Sequence, residues 1–183
     1  MLAALATAAS AQNRLELVST SAPTKVDRAS SAKLELVSTS AATKVDRMLV
    51  LKREHKLQLL SGDQVVKSFD VALGSGGPGP KRREGDRRTP EGLYTVDWRN
   101  PASRFHRALH ISYPQSADRQ RARQLGVSPG GNIMIHGLGR EFSSIGPDHR
   151  LSDWTEGCIA VTDAEIEEIW KMVPDGTPVE IRR

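Results

Sequence analysis

Short apolar or alternating runs recur along the chain after residue 47, separated by clusters of Gly, Pro, Asp and Ser. Alternation with a two-residue period is typical of half-buried β-strands, and such clusters are typical of the turns between them. The predicted strands lie at 48–51, 56–60, 64–73, 93–98, 108–113, 132–136, 158–161 and 177–181. The pattern therefore predicts a mainly β fold over residues 47–183.

Two segments depart from this pattern and predict helices. Thr162-Asp163-Ala164-Glu165 is a capping box, a sequence that starts a helix by satisfying its first free amide groups. The apolar residues that follow have the i, i+3, i+4, i+7 spacing of one helix face, and they are Ile166, Ile169, Trp170 and Val173. These features predict a helix at about 163–173, and the polar, Arg-rich stretch 116–125 predicts a short exposed helix.

The first 46 residues have a different character. Residues 1–11 (MLAALATAASA) form a short apolar run with the small-x-small ending of a signal-peptidase site, which predicts a truncated signal peptide or, alternatively, a disordered Ala-rich start. Residues 15–28 recur as 34–47 with one difference, Pro23 against Ala42. Two copies are too few for a repeat array. The Ser, Thr and Ala content instead predicts a weakly ordered linker over 12–46.

Composition narrows the function classes. A chain of 183 residues suffices for one domain and a tail. The net charge of +4 favours polyanionic surroundings such as a cell wall, a membrane surface or nucleic acid. Nucleic acid is the least favoured, because the basic residues are scattered and no DNA-binding spacing occurs. No run of 18 apolar residues is present, so no membrane-spanning segment is predicted. The oligomeric state is not indicated.

Cys158 is the single cysteine, which excludes an internal disulfide. A lone cysteine is most often a small buried apolar residue, but a free thiol in an exported protein more often has a function. Gly157 precedes it and allows a tight turn in which amide N–H groups approach a reacting carbonyl closely. The amides of Gly157 and Cys158 are therefore candidates for an oxyanion hole. A thiol also needs a neighbouring base to become a nucleophile.

His136 stands out among the five histidines because it ends an apolar strand and is followed by Gly137. Functional side chains are commonly held at strand ends that face a loop. If the strands of His136 and Cys158 are neighbours, the two residues can meet. An alternative is a metal hydrolase that uses His136, His149 and Cys158, although their spacing matches no compact zinc motif and no His-Glu-x-x-His is present.

Two sequence blocks resemble the signature of the YkuD-type L,D-transpeptidases. Residues 133–137 (IMIHG) are similar to the family's strand that ends in His-Gly, and residues 152–161 (SDWTEGCIAV) are similar to its Ser/Thr-x-Gly-Cys block. Residues 88–94 (RTPEGLY) resemble the family's Thr-Pro-x-Gly-aromatic turn. The resemblance covers about 47–183. It implies a catalytic domain of mainly β structure, a β-sandwich or mixed sheets with one or two peripheral helices.

The resemblance also implies roles for these residues. Cys158 would be the nucleophile and His136 the general base and acid, with the Gly137 carbonyl orienting the His136 ring and the Gly157 amide in the oxyanion hole. Thr155 would either bind the scissile region or cap the loop. Trp154 would either shape the cleft by stacking or pack the loop. No metal and no cofactor are implied.

The implied substrate is a peptidoglycan stem peptide, and the implied location is the periplasm or the cell wall. The expected reaction forms 3→3 crosslinks through a cysteine thioester. The alternatives are an L,D-carboxypeptidase or endopeptidase that hydrolyses wall-peptide or wall–lipoprotein bonds, and a non-catalytic wall-binding module. The sequence does not identify the acceptor.

Three features qualify the resemblance. Ala160 stands where many family members carry Arg or Asn, and Glu156 stands at a position that is often basic or His. A carboxylate near the thiol would disfavour the thiolate unless it is paired or points away. The loop with Arg82, Arg83, Arg87 and Arg88 either attracts wall carboxylates or is simply solvated.

Overall fold

Eight strands and three α-helices form residues 44–183, the part of the chain that the computed structural model describes. The strands are β1 (Arg47–Leu51), β2 (Lys56–Ser61), β3 (Gln64–Asp70), β4 (Gly92–Ser103), β5 (His106–Ile111), β6 (Met134–His136), β7 (Ile159–Ala160) and β8 (Pro178–Arg182). The helices are α1 (Ser116–Gln124), α2 (Gly139–Phe142) and α3 (Asp163–Met172), and a 3-10 segment runs over Ser143–Leu151. The predicted mainly β fold is confirmed.

The strands follow the order β3-β2-β1-β8-β4-β5-β6-β7. β1 pairs with β8 and β6 pairs with β7 in parallel, and the other neighbours are antiparallel. The long strand β4 joins the two halves of this order, because its residues 92–95 pair with β8 and its residues 96–103 pair with β5. The candidate site lies in the second half, where β6 and β7 are neighbours.

The part of the sheet formed by β5, β6 and β7 packs one of its faces into the hydrophobic core. Leu109, Ile135 and Ile159 are neighbours across these strands and are fully buried. α3 adds Ile166 and Ile169 to the same core cluster. Burial of such side chains is the main stabilising contribution to the fold, about 1.5–3 kcal/mol for each. The strands that carry the site therefore have a rigid backing.

The predicted helix at 163–173 is confirmed as α3, and its capping box is present. Thr162 Oγ1 accepts a hydrogen bond from the Glu165 amide, and the Glu165 carboxylate accepts one from the Thr162 amide at 2.8 Å. The predicted helix at 116–125 is also present, as α1. Both helices carry local start signals, which explains why they are readable from the sequence.

Three elements differ from the predictions. The strand predicted at 93–98 continues as β4 to Ser103, with bulges that let it pass Pro101. The strand predicted at 64–73 ends at Asp70. Residues 139–151, predicted as no regular element, form α2 and the 3-10 segment, and the Asp163 carboxylate receives the amides of Leu138 and Gly139 at 2.7 and 3.0 Å. That contact comes from a residue distant in sequence, so local pattern does not reveal it.

The predicted signal peptide at 1–11 lies outside the described residues, as does most of the predicted linker at 12–46. At the start of the described part, Val45 already belongs to the buried core. Within residues 44–183 no helix has both the length and the apolar character that crossing a bilayer requires.

Candidate active site

The parallel pairing of β6 and β7 brings the two predicted catalytic residues to one face of the sheet. His136 is the partner of Ala160 in this ladder. Because side chains alternate between faces with a period of two, Cys158 lies on the same face as Ala160 and His136. Both side chains line one cleft of about 340 Å³. Its other lining residues are Arg104, Phe105, Glu141, Phe142, Trp154, Thr155 and Glu156.

The His136 ring is held in one orientation. Its Nδ1 lies 2.6 Å from the carbonyl oxygen of Gly137. A carbonyl only accepts hydrogen bonds, so Nδ1 carries the hydrogen and Nε2 is the basic nitrogen. Phe105 stacks on the ring, with centroids 4.4 Å apart. The sequence-predicted contact between His136 and the Gly137 carbonyl is therefore present.

Burial strongly affects the charge of His136. The side chain is 2% exposed. Burial is the main cause that lowers the pKa of His136 to about 4; the Gly137 carbonyl opposes this shift, and the charges of Arg104 and His149 add to it. At neutral pH the ring is uncharged and is able to accept a proton.

Cys158 is half-buried at the start of β7. Its thiol donates to the carbonyl oxygen of Asn132, with Sγ 3.6 Å from that oxygen. Burial raises the pKa of the Cys158 thiol, while a backbone hydrogen bond from Met134 and the charge of Lys81 lower it in part. At neutral pH Cys158 is therefore a thiol that donates to Asn132, and His136 is a neutral imidazole that lines the same cleft.

Thr155 organises the turn before Cys158. Its hydroxyl donates to the Cys158 carbonyl at 2.7 Å and accepts from the Gly157 amide at 3.1 Å. Its own amide donates to the Leu73 carbonyl at 3.1 Å. Thr155 is 4% exposed. Of the two roles considered for Thr155, these contacts correspond to capping the loop.

Gly157 has a backbone conformation and surroundings that require glycine. Its φ is +126°, which residues with a side chain rarely adopt. A Cβ on Gly157 would also lie 2.8 Å from the carbonyl oxygen of Arg88. The same segment approaches Gly74, whose added Cβ would lie 2.1 Å from the Arg87 carbonyl oxygen. The turn that presents Cys158 is thus packed against the backbone of the arginine-containing loop.

Trp154 packs against other aromatic rings and also faces the cleft. Its ring centroid lies 4.8 Å from that of Phe142, 6.0 Å from that of His136 and 6.3 Å from that of Phe105. Both roles considered for Trp154 are therefore compatible with its position. Phe105 and Phe142 were not predicted as site residues, because each stands in a segment without a recognisable motif.

Arg104 and Glu141 are the charged cleft residues that sequence reasoning also missed. Arg104 lies over the Phe105 ring, with its guanidinium carbon 4.5 Å from the ring centroid. Glu141 is exposed in the short helix α2. The sequence predicted that the strand ends at residue 98. Because β4 in fact continues to Ser103, the tight turn that carries Arg104 was not expected.

Asp153 ties the Cys158 loop to the preceding part of the chain. Its Oδ1 accepts the Leu73 amide at 2.8 Å, and both its oxygens lie 3.2 Å from His55 Nε2. Isolated bridges between Ala72 and Ala160 and between Gly74 and Thr155 run alongside. The segment around Leu73 therefore forms one wall that supports the turn.

Glu156 and Ala160, the two residues that differ from the usual family pattern, lie on the surface and in the core respectively. Glu156 pairs with Arg87 at 3.0 Å on the surface, although its charge still contributes to raising the pKa of Cys158. Ala160 is fully buried and exchanges backbone hydrogen bonds with Ala72, so it does not line the cleft. Of the loop arginines, Arg82, Arg83 and Arg87 are exposed, and Arg88 donates to the Gly76 carbonyl at 3.2 Å.

His149 does not line the cleft shared by His136 and Cys158. It is 4% exposed, and its Nδ1 is buried without a hydrogen-bond partner. Within residues 44–183 no group of three or more His, Cys, Asp or Glu side chains is arranged to hold a metal ion. The three-residue metal site considered from the sequence is thus not assembled.

Known proteins resemble this chain in both sequence and fold. YafK of Escherichia coli strain K12, whose assignment as an L,D-transpeptidase is itself provisional, is 35% identical over 131 residues, which cover 68% of this chain and 45% of YafK. The helical cell shape determining protein Pgp2 from Campylobacter jejuni superposes with a TM-score of 0.60 at 26% identity, covering 76% of this chain and 48% of Pgp2. The chain therefore spans less than half the length of these relatives.

A second solved structure shows the fold alone. The L,D-transpeptidase from Xylanimonas cellulosilytica has a TM-score of 0.53 at 16% identity, over 78% of this chain and 62% of that one. Residues 45–181 match the family model of the L,D-transpeptidase catalytic domain YkuD. The His-Gly strand end, the Thr-x-Gly-Cys turn and this match lead to one conclusion: the chain belongs to the YkuD family of L,D-transpeptidase catalytic domains.

Proposed function

We propose that this protein is a peptidoglycan L,D-transpeptidase that forms 3→3 crosslinks through a thioester on Cys158. The observation that carries the proposal is the arrangement of His136. Its Nδ1 is fixed on the Gly137 carbonyl at 2.6 Å, so its basic Nε2 is left for the cleft that Cys158 also lines. Acyl transfer requires a nucleophile, a base and a group that orients the base, and one cleft supplies all three.

In the first step, Cys158 Sγ attacks the carbonyl carbon of the third residue of a stem tetrapeptide. His136 Nε2 accepts the thiol proton as the S–C bond forms. The bond from that carbon to the D-Ala nitrogen then breaks, and the same proton passes from His136 to the departing amine. D-Ala leaves and a thioester remains, with no net change in the protonation of His136.

The tetrahedral intermediate carries a negative oxygen that needs amide donors. The turn that carries Cys158 offers the amides of Gly157 and Cys158, and the Gly157 amide donates to Thr155 Oγ1 at 3.1 Å. We therefore assign the Cys158 amide as the principal oxyanion donor, joined by the Gly157 amide when it leaves Thr155. One donor of this kind contributes about 3 kcal/mol to the transition state.

In the second step, an amine on another stem attacks the thioester carbonyl, and His136 removes a proton from that amine. The C–N bond forms, the C–S bond breaks and the thiol of Cys158 regains a proton. Attack by water in place of the amine gives the carboxypeptidase or endopeptidase reaction. Phe105, Phe142 and Trp154 form an apolar wall of the cleft, against which an acceptor stem can pack.

The wall substrate implies an exported protein, and we propose a periplasmic or cell-wall location. The similarity to Pgp2, a protein that determines helical cell shape, supports a role in cell shape for this chain as well. A non-catalytic wall-binding module would need neither a basic nitrogen nor a thiol in one cleft.

The test is mass spectrometry of the products that purified protein makes from a tetrapeptide stem, with and without an acceptor stem. We expect release of D-Ala, a covalent adduct on Cys158, and a crosslinked dimer when the acceptor is present. Cys158→Ala should abolish all three, while Thr162→Ser, a conservative change at the start of α3, should keep them.

If D-Ala is released but no dimer forms at any acceptor concentration, the reaction is hydrolysis and not crosslinking. Turnover by Cys158→Ala would show that the nucleophile is misassigned. Binding of the stem without any release of D-Ala would instead identify a wall-binding module.

A further inference from the structure

A row of side chains crosses the sheet from Cys158 to an exposed tryptophan. Trp98 on β4 is the partner of His110 on β5, and His110 is the partner of Met134 on β6. The β6–β7 register pairs Ile135 with Ile159, so Met134 lies beside Cys158. Residues that pair across strands share a face, and the row therefore lies on the face of the sheet that carries the cleft.

The row ends at Trp98, whose side chain is partly exposed to solvent. Trp98 is 42% exposed, whereas large apolar side chains in strands are usually covered. His110 stacks on one side of the indole, with centroids 5.1 Å apart and planes 20° apart. This stacking leaves much of the indole exposed. An exposed aromatic face of this kind can pack against a ligand.

The imidazole that stacks on the indole is itself held by a hydrogen bond to Asp97. Asp97 Oδ1 accepts from His110 Nδ1 at 2.5 Å, which fixes the imidazole under the indole. A bulge between Val96 and Trp98 lets Asp97 and Trp98 both reach His110, although neighbouring residues in a regular strand face opposite sides. The Asp97 side chain is 39% exposed, so it is also available to accept hydrogen bonds from a ligand.

The length of the row suits a wall stem. Neighbouring strands lie about 4.8 Å apart, so three steps from Cys158 to Trp98 span about 14 Å. An extended peptide covers about 3.3 Å per residue, so about four residue lengths fill this distance. A stem whose third residue is bonded to Cys158 spans that residue, two further residues and the lactyl ether, about four residue lengths, before the sugar ring. That sugar therefore reaches Trp98.

We propose that Trp98, backed by His110 and beside Asp97, is a saccharide subsite that binds the sugar at the head of the donor stem. The apolar C–H face of a sugar ring packs on an aromatic face, and its hydroxyl groups hydrogen-bond to a carboxylate such as Asp97. The inference rests on the proposed function for the identity of the stem. The saccharide makes this row a donor site that distinguishes wall-attached stems from free peptides.

The test compares two donors, a disaccharide–tetrapeptide and the same tetrapeptide without sugar. Trp98→Leu keeps the apolar bulk but removes the aromatic face, and Trp98→Phe retains a ring. We expect Trp98→Leu to lower kcat/KM for the disaccharide–tetrapeptide about fivefold through KM, as an aromatic contact would. It should leave the free tetrapeptide unchanged, and Trp98→Phe should stay within about twofold of the original protein for both donors.

Leu93→Ala is the matched control, because Leu93 is another exposed apolar residue of β4, 73% exposed, but lies outside the row. It should alter neither donor. Equal losses for both donors in Trp98→Leu, or no preference of the original protein for the sugar-bearing donor, would overturn the proposal.

A binding measurement separates this inference from the proposed function. Cys158→Ala is titrated with the two donors, with and without Trp98→Leu, and the dissociation constants are compared. A Trp98-dependent preference for the sugar in Cys158→Ala would uphold the subsite, and failure of the original protein to release D-Ala would separately reject the transpeptidase reaction. Turnover with no such preference would uphold the reaction and reject the subsite.

Discussion

The buried His136 ring predicts a specific loss of stability in acid. Burial lowers its pKa from 6.5 to about 4 in the folded protein, whereas the unfolded chain binds a proton near pH 6.5. The folded state therefore disfavours the charged ring. This contribution to stability is fully present above pH 6.5 and is lost progressively as the pH falls from 6.5 towards 4.

The magnitude follows from the pKa difference. Each pKa unit corresponds to about 1.36 kcal/mol, so His136 accounts for a loss of about 2.5 kcal/mol between pH 7.5 and pH 4.5. Glutamine in place of His136 cannot titrate. The pH-dependent loss in free energy of unfolding should therefore be smaller by about 2.5 kcal/mol in His136→Gln.

Urea unfolding followed by circular dichroism at the two pH values measures this difference. Comparing each variant with itself at two pH values cancels any constant effect of the substitution. NMR titration of the His136 ring protons gives the pKa directly. The acid limb of kcat/KM should lie near pH 4, since the protonated ring cannot accept the thiol proton. An acid limb between pH 6 and 7, or an equal pH-dependent loss in His136→Gln, would refute the reasoning.

Three further predictions concern the residues around the site. Gly137→Ala should lower the free energy of unfolding by about 1–3 kcal/mol in urea titrations, because the new Cβ would lie 2.5 Å from Asp163 Oδ1. Gly131→Ala is the control and should have little effect, because the atom nearest to its new Cβ is 4.0 Å away. Asp153→Ala should cost about 1–3 kcal/mol by the same assay, since it leaves the Leu73 amide unpaired, and Asp153→Asn, which keeps an oxygen there, should cost less. Alkylation of Cys158 by iodoacetamide, followed by mass spectrometry, should accelerate about tenfold per pH unit beyond pH 8, since its pKa is raised, and a plateau below pH 7 would contradict this.

Residues with a local signal were predictable from the sequence. The alternating runs located the strands, and the capping box at 162–165 located α3. Cys158 and His136 were proposed as catalytic because each adjoins a glycine at a strand end, and the structure places both in one cleft. Gly137 is explained by its neighbours, since a Cβ there would meet the Phe105 carbonyl oxygen at 2.9 Å as well as Asp163.

Residues that depend on distant contacts were not predictable. Phe105 enters the cleft because the β4–β5 hairpin is longer than its apolar pattern indicates. α2 begins where the Asp163 carboxylate, 24 residues away from Gly139, receives its amide. The row from Cys158 to Trp98 depends on the registers of four strands, and a single sequence contains no direct record of strand register.

The loop of residues 74–88 packs against Gly157 at its base but not at Gly77 and Gly85, so its sequence is more restricted at the base than at these two glycines. At its base, Gly74 and Gly76 would place a Cβ 2.1 and 2.0 Å from the carbonyl oxygens of Arg87 and Asp86, so neither side of the base can be enlarged. At its tip, Gly77 and Gly85 face open space. Insertions at these two glycines would therefore leave the turn of Cys158 undisturbed, whereas Lys81 between them is buried and pairs with Asp86 at 2.8 Å. These two positions are places where members of the family can differ in sequence while the geometry around Cys158 is kept.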